Sequence, residues 1–228
     1  MNVLRSVADL LVAKSCFYCG ASSSKPLCDA CQNLLPFLSV PFCHTCGYPT
    51  MDQVNVCRQC RGKRLYFKQG RSLLAYEGNA RKILLSIKMQ SSYSLVDYFI
   101  KRAIGEIEDQ FFEVDAVTFI PETFLKKVRK KHNSSELIAR VISHYTKAPL
   151  LNTLKITKNI ADQAALTLKE RQDNLKGAFT NKNVMNGFRG TMLVVDDVYT
   201  TGATANEASR ALSGKGIKIK VFSLARTL

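Results

Sequence analysis

The stretch that decides the fold is MLVVDDVYTTGAT, residues 192–204. The apolar residues at its start predict a short buried strand, which delivers Asp196 and Asp197 at its carboxyl end, where α/β sheets bind ligands. The turn that follows is rich in hydroxyls and contains Gly202, which lets backbone amides approach an anion. A helix predicted from Ala203 aims its free N–H groups and its dipole at the same point. The stretch therefore predicts a site for a phosphorylated sugar.

Each half of this stretch has a chemical role in the prediction. Carboxylates suit the vicinal hydroxyls of a ribose, because they accept hydrogen bonds. The hydroxyls and amides of the loop suit its 5′-phosphate. The residues predicted to bind a ribose phosphate are Asp196, Asp197, Thr200, Thr201, Gly202, Ala203 and Thr204. The alternative is an ordinary strand, turn and helix with an acidic cap, but the register of all four features favours the phosphate site.

The chain around this stretch alternates predicted strands with predicted helices. Strands are predicted at residues 71–76, 116–120, 192–195 and 217–224. Helices are predicted from Asn79, over residues 95–107, from the capping-box spacing of Asn133 and Glu136, and over residues 203–212 with Gly214 closing the last one. This alternation indicates an α/β domain with a mostly parallel sheet covered on both faces. We expect it to span residues 66–228.

All eight cysteines lie in the first 60 residues and form four Cys-x-x-Cys pairs. Two such pairs complete a tetrahedral zinc site, and a site of four thiolates is structural because it leaves no open position. The predicted ligands are Cys16, Cys19, Cys28 and Cys31 for one ion and Cys43, Cys46, Cys57 and Cys60 for another. This sequential pairing is favoured over a cross-braced one. Residues 1–65 are thus predicted to be a zinc-binding module with two structural Zn²⁺ ions.

Disulfides are the alternative use of these cysteines. The first dozen residues lack a continuous apolar region and a cleavage site, so a secretory signal is not expected. We therefore expect a reducing, cytoplasmic location, which disfavours disulfides.

The charge balance predicts an anionic partner. The sequence contains 33 Lys and Arg against 18 Asp and Glu, a net charge of +15, which attracts polyanions such as nucleic acids. A basic run before Asn133 is predicted to lie on the rim of the phosphate site, where it could neutralise a diphosphate or follow a DNA backbone. Its cations are Lys126, Lys127, Arg129, Lys130 and Lys131. The alternative is a solvated surface loop.

The motifs together resemble a known family. Residues 192–204 look like the phosphoribosyl-pyrophosphate motif of type I phosphoribosyltransferases, and with cysteine knuckles ahead of it the chain resembles the ComF family of bacterial competence proteins. Two further stretches carry the resemblance: Tyr76-Glu77-Gly78 with the helix that reaches Lys88, and the segment QAAL…ERQDNLKGAF at residues 163–179. The resemblance implies a Rossmann-like type I phosphoribosyltransferase fold. It also implies a flexible loop with Gln163, Arg171 and Asn174 as polar members.

The resemblance implies a function as well. It implies a cytoplasmic factor, acting also at the inner face of the cytoplasmic membrane, that handles single-stranded DNA during natural transformation. A helicase-like DNA-import protein and an inner-membrane DNA channel are the implied partners, and phosphoribosyl pyrophosphate or a related phosphate is the implied ligand. The sequence departs from the family at residues 129–134, where Asn133 matches but a glycine and a glutamine of the pyrophosphate loop are missing.

An active phosphoribosyltransferase of nucleotide salvage is the alternative function. That chemistry would need Mg²⁺ on the diphosphate, carboxylates on the ribose and a loop that excludes water. The sequence has no recognisable segment for a nucleobase pocket, because zinc knuckles stand in its usual place. The DNA-handling role is therefore favoured, while transferase activity is left open.

Overall fold

The computed structural model describes residues 15–90, 92–122, 133–157, 175–182 and 187–228. Its helices are α1 (Asp29–Asn33), α2 (Gly78–Gln90), α3 (Tyr93–Glu106), α4 (Ser134–Thr146) and α5 (Ala203–Leu212), with a 3-10 turn at Asp109–Phe112. Its strands are β1 (Gln69–Ala75), β2 (Ala116–Phe119), β3 (Leu154–Ile156), β4 (Phe179–Asn181), β5 (Gly190–Tyr199) and β6 (Ile217–Arg226). The predicted alternation of strands and helices is confirmed.

The main sheet has four parallel strands in the order β1-β6-β5-β2. Central strand β5 is buried on both faces, since Met192, Leu193, Val194 and Val195 are all fully buried. Helix α4 packs on β2 and β5, and α5 packs on β5 and β6. Because both faces of such a strand are buried, its consecutive residues are apolar. The predicted fold class, an α/β domain with a parallel sheet, is confirmed.

Strand β5 is longer than its apolar core predicts. It continues through the Asp pair to Tyr199, because its pairing with β6 continues from Asp196 opposite Ser223 to Tyr199 opposite Arg226. The predicted end at residue 195 was therefore too early. Pairing with a neighbouring strand extends a strand beyond the residues whose side chains favour burial.

The predicted helix ends agree in part with the structure. Asn133 caps α4, and its side-chain oxygen accepts the backbone N–H groups of Ser135 (3.0 Å) and Glu136 (3.4 Å). The carboxylate of Glu136 bonds to Arg140 instead of completing the capping box. At the other end of the domain α5 stops before Ser213, which is extended. The predicted glycine cap at position 214 is not used.

A second, antiparallel pair of short strands flanks helix α5. Strands β3 and β4 pair from Leu154 opposite Asn181 to Ile156 opposite Phe179, and α5 packs against both. The segment predicted to be a flexible loop, with Gln163, Arg171 and Asn174, connects these strands and lies outside the described residues.

The chain divides into two compact units between Leu35 and Pro36. The first cysteine set and α1 belong to one unit, while the second set shares a unit with the main sheet. The boundary predicted after residue 65 stays a prediction about the extent of the zinc module. Among the helices of the described ranges, no single one combines the length and the apolar character needed to cross a bilayer.

Candidate functional site

The loop at residues 200–204 is shaped by Gly202. This glycine is the N-cap of α5, with φ of 77° in the left-handed region. A Cβ at this position would overlap the hydroxyl of Tyr199, so only glycine fits the turn. Beside it the hydroxyl of Thr201 accepts the backbone N–H of Ala203 at 3.3 Å. The loop thus leads directly into a helix N-terminus, the arrangement that binds phosphate.

Asp196 and Asp197 stand at the carboxyl end of β5 and are held by residues from two helices. Lys88, in the last turn of α2, places its Nζ 3.0 Å from Asp197 Oδ2. At the start of α4 the Ser134 hydroxyl donates to the same oxygen (2.8 Å), and the Ser135 hydroxyl donates to Asp196 Oδ1 (3.2 Å). The carboxylates are therefore oriented before any ligand arrives.

The two carboxyl groups differ in their electrostatics. Burial, with the neighbouring charge of Asp197, raises the pKa of Asp196 to about 7. Burial by itself also raises the pKa of Asp197, but the Lys88 ammonium and the Ser134 hydroxyl outweigh it and hold the pKa of Asp197 below its usual range. In turn Asp197 outweighs the effect of burial on Lys88 and raises the pKa of that ammonium. At neutral pH, Asp197 is therefore a carboxylate, whereas the raised pKa of Asp196 means that it keeps its proton to a higher pH than an ordinary aspartate.

The eight cysteines gather into two sets of four, Cys16, Cys19, Cys28 and Cys31, then Cys43, Cys46, Cys57 and Cys60. Within each set the sulfur atoms lie within 4.8 Å of one another, in the sequential grouping. The Sγ atoms of Cys19 and Cys28, and those of Cys46 and Cys57, are 3.7 Å apart. A tetrahedral ion with Zn–S bonds of about 2.3 Å requires sulfur atoms about 3.8 Å apart. The donor sets fit two structural zinc ions, and all eight cysteines are free of disulfides.

The backbone turns at a glycine directly after the first and the third cysteine pair. Gly20 and Gly47 follow the first and third pairs with φ of 75° and 69°. Gly47 also lies against the backbone of Gly70 on β1, where a Cβ would be 2.6 Å from the Gly70 carbonyl oxygen. His44, which stands inside the third pair, points its Nε2 at Gln69 at 3.2 Å and is not a member of the metal-binding set.

Two buried arginines join the second cysteine set to the main sheet, and sequence reasoning missed both. Arg226, at the end of β6, donates to the Cys46 carbonyl at 2.6 Å and lies between the rings of Tyr48 and Tyr199. Arg71, on β1, donates to the His44 carbonyl at 2.8 Å. A zinc ion with four thiolates carries net negative charge, so cations beside it are favourable. No sequence signal marks these arginines, because β1 and β6 contain other polar residues as well.

The sequence did not predict every residue that contacts the Asp pair. Lys88, Ser134 and Ser135 were not predicted to contact the Asp pair, although the capping position of Asn133 could have placed the serines at a helix start facing the sheet. The predicted basic rim, Lys126, Lys127, Arg129, Lys130 and Lys131, lies outside the described residues.

Comparison with known proteins matches residues 7–61 to the double zinc ribbon domain. Along most of its length the chain is similar to Competence protein F of Haemophilus influenzae, with 26% identity over 92% of this chain and 96% of that protein. Competence protein ComFC of Bacillus subtilis is 25% identical over 88% of this chain and 84% of that protein. DNA utilization protein YhgH of Salmonella typhimurium is 24% identical over 96% of this chain and 100% of that protein.

Among solved structures, a purine phosphoribosyltransferase from Pyrococcus horikoshii is similar, with 19% identity, a TM-score of 0.29, and coverage of 57% of this chain and 84% of that chain. Over most of its length the chain is thus similar to competence and DNA utilization proteins, and its N-terminal part matches a double zinc ribbon.

Proposed function

We propose that this protein handles incoming single-stranded DNA during natural transformation, and that its phosphoribosyltransferase-like domain binds phosphoribosyl pyrophosphate or a similar phosphate. The observation that carries the proposal is the pairing of Asp196 and Asp197 with the glycine-capped loop at the end of a parallel sheet. Carboxylates for ribose hydroxyls and a helix N-terminus for phosphate are the two elements that such a ligand requires.

The proposed DNA role is supported by the positive net charge and by similarity to other proteins. The net charge of +15 favours polyanion binding through counterion release. The relatives carry names that refer to competence and DNA utilization. The proposed partners are single-stranded DNA, a helicase-like import protein and an inner-membrane DNA channel. The proposed location is the cytoplasm, including the inner face of its membrane. Mg²⁺, which prefers carboxylate and phosphate oxygens, would accompany a bound diphosphate.

Ligand binding is tested by calorimetry with phosphoribosyl pyrophosphate on zinc-loaded protein. The Asp197→Asn variant should bind at least about tenfold more weakly, since loss of a charged acceptor costs about 1.5–3 kcal/mol. Asp115→Asn is the control, because Asp115 accepts the Thr191 N–H at 2.7 Å at the opposite end of β5. An unchanged dissociation constant for Asp197→Asn would contradict the ligand assignment.

The cellular role is tested by transformation frequency in a strain that lacks the gene. The strain is complemented with the wild type or with the Asp196→Asn, Asp197→Asn double variant. We expect deletion to abolish transformation while DNA still enters the cell envelope, and the double variant not to restore it. Normal transformation with altered nucleotide pools would favour a salvage transferase instead.

A further inference from the structure

A groove of about 780 Å³ opens beside the loop at residues 200–204. Its floor is α5 with its preceding loop, from Thr201 to Arg210, and its walls are residues 63–66 and residues 175–177. We call it the α5 groove. It includes Thr201, Gly202 and Ala203 of the phosphate loop but neither Asp196 nor Asp197. A volume of about 300–1,000 Å³ is typical of ligand sites.

Two adjacent side chains of α5 hold the walls of the α5 groove in place. Asn206 binds one wall twice, since its Oδ1 accepts the Tyr66 N–H at 2.8 Å and its Nδ2 donates to the Arg64 carbonyl at 3.0 Å. Glu207, nearly buried, binds the other wall by accepting the Gly177 N–H at 2.6 Å. These bonds use main-chain groups of the walls. The side chains of Arg64 and Tyr66 are therefore not consumed in holding the groove together.

The lining of the α5 groove combines cations with flat apolar surface. Among the described residues that line it, Lys63, Arg64, Lys176 and Arg210 are cationic, and the carboxylate of Glu207 pairs with Arg210 at 2.7 Å. Tyr66 is half-buried, and the Arg64 guanidinium lies 5.1 Å from its ring centroid. Leu65 and Leu175 supply apolar surface. Aromatic rings that stack bases, surrounded by cations that follow the backbone, are the recurrent design of single-strand binding sites.

The position of the α5 groove suits a strand that crosses the phosphate loop. Each phosphodiester in a single strand has a nucleoside on either side. With one phosphate at residues 200–204, one nucleoside would lie toward Asp196 and Asp197 and its neighbour would lie in the α5 groove. We propose that the α5 groove binds this neighbouring nucleotide of single-stranded DNA, with its base against Tyr66. This inference rests on the proposed function and adds the site at which the bases lie.

The absence of tryptophan from the chain allows a direct test. A Tyr66→Trp variant introduces the sole tryptophan of the chain into the α5 groove, where it can be excited selectively, and stacking on a base should quench its emission. Titration uses an oligothymidylate of about 12 nucleotides, within the site sizes of single-strand binders. The control is Tyr93→Trp, at a position on α3 that is 50% exposed and does not line the groove. We expect saturable quenching in Tyr66→Trp and none in Tyr93→Trp.

A second variant measures the contribution to affinity. Tyr66→Ala should weaken oligothymidylate binding about 5- to 100-fold, as expected for loss of one stacked base, while binding of phosphoribosyl pyrophosphate stays unchanged. Suppose that the wild type binds the oligonucleotide, that Tyr66→Ala binds it with the same affinity, and that the emission of Tyr66→Trp does not change. The α5 groove is then not the base site, and the proposed function stands. If the wild type binds no single strand, the proposed function and this inference both fall. Equal quenching by polyglutamate would overturn the assignment to nucleic acid.

Discussion

Removing the ammonium of Lys88 should expose the repulsion between Asp196 and Asp197. Lys88 Nζ lies 3.0 Å from Asp197 Oδ2, and the two side chains are only 29% and 20% exposed. At that distance Coulomb's law with an effective dielectric constant of 20 gives about 5–6 kcal/mol, an upper bound. Breaking a buried pair costs about 3–5 kcal/mol, whereas an exposed pair contributes about 0–1 kcal/mol. For this half-buried pair we expect Lys88→Met to cost about 1–3 kcal/mol at about pH 8.

The cost should depend on pH with a defined sign. Without Lys88, Asp197 loses the cation that holds its pKa low, so the pair keeps a proton to higher pH than the same residues do in the unfolded chain. Because the folded state then binds more protons than the unfolded state, its stability falls as pH rises. At about pH 5.5 the shared proton relieves the repulsion, so the deficit of the variant should be smaller there than at about pH 8.

The assay is differential scanning calorimetry of zinc-loaded wild type and Lys88→Met at both pH values. A cost of about 1–3 kcal/mol corresponds to a fall in Tm of about 2–12 °C for a domain of this size. Arg140→Met is the control, because Arg140 and Glu136 form an i,i+4 pair whose side chains are 63% and 39% exposed, so the change should alter Tm little at either pH. An equal Tm deficit for Lys88→Met at both pH values would refute the reasoning, since it would mean that Lys88 stabilises by packing alone.

Three further predictions concern the zinc sites and the N-caps of α5 and α4. Metal analysis should return about two zinc ions per chain, and Cys46→Ser should reduce this number to about one. The same variant should lower the Tm of the sheet domain, because loss of the metal loosens the turn whose Cys46 carbonyl accepts from Arg226. Retention of two ions would contradict the assignment of Cys46 as a ligand. Gly202→Ala should abolish phosphoribosyl-pyrophosphate binding in calorimetry, since its Cβ meets Tyr199 and its φ is positive; normal affinity would show that the loop is not the phosphate site. Asn133→Ala should lower the free energy of unfolding by about 1 kcal/mol in urea titrations, through loss of the α4 cap; no change would show that solvent replaces the cap.

Much of the fold could be read from local patterns. The apolar run before Asp196 predicts a buried strand, and the cysteine spacing predicts two tetrahedral sites, because both depend on residues that are close in sequence. Helix α5 begins at Ala203 as predicted, since Gly202 and the apolar spacing mark its start. Strand ends were less predictable. Strand β5 runs to Tyr199 because β6 continues beside it, and that neighbour is distant in sequence.

The sequence by itself therefore determined the α/β class, the position of the Asp pair ahead of the loop at residues 200–204, and the two sets of cysteines that fit zinc. Only the tertiary structure decided which residues surround them. Lys88 and Ser134 meet at Asp197 from two separate helices, and Arg226 reaches the second cysteine set from the far end of the chain. Such contacts join residues more than 60 positions apart, so no periodicity or local spacing encodes them. They follow from packing of the parallel sheet, whose strand order brings distant segments to one edge.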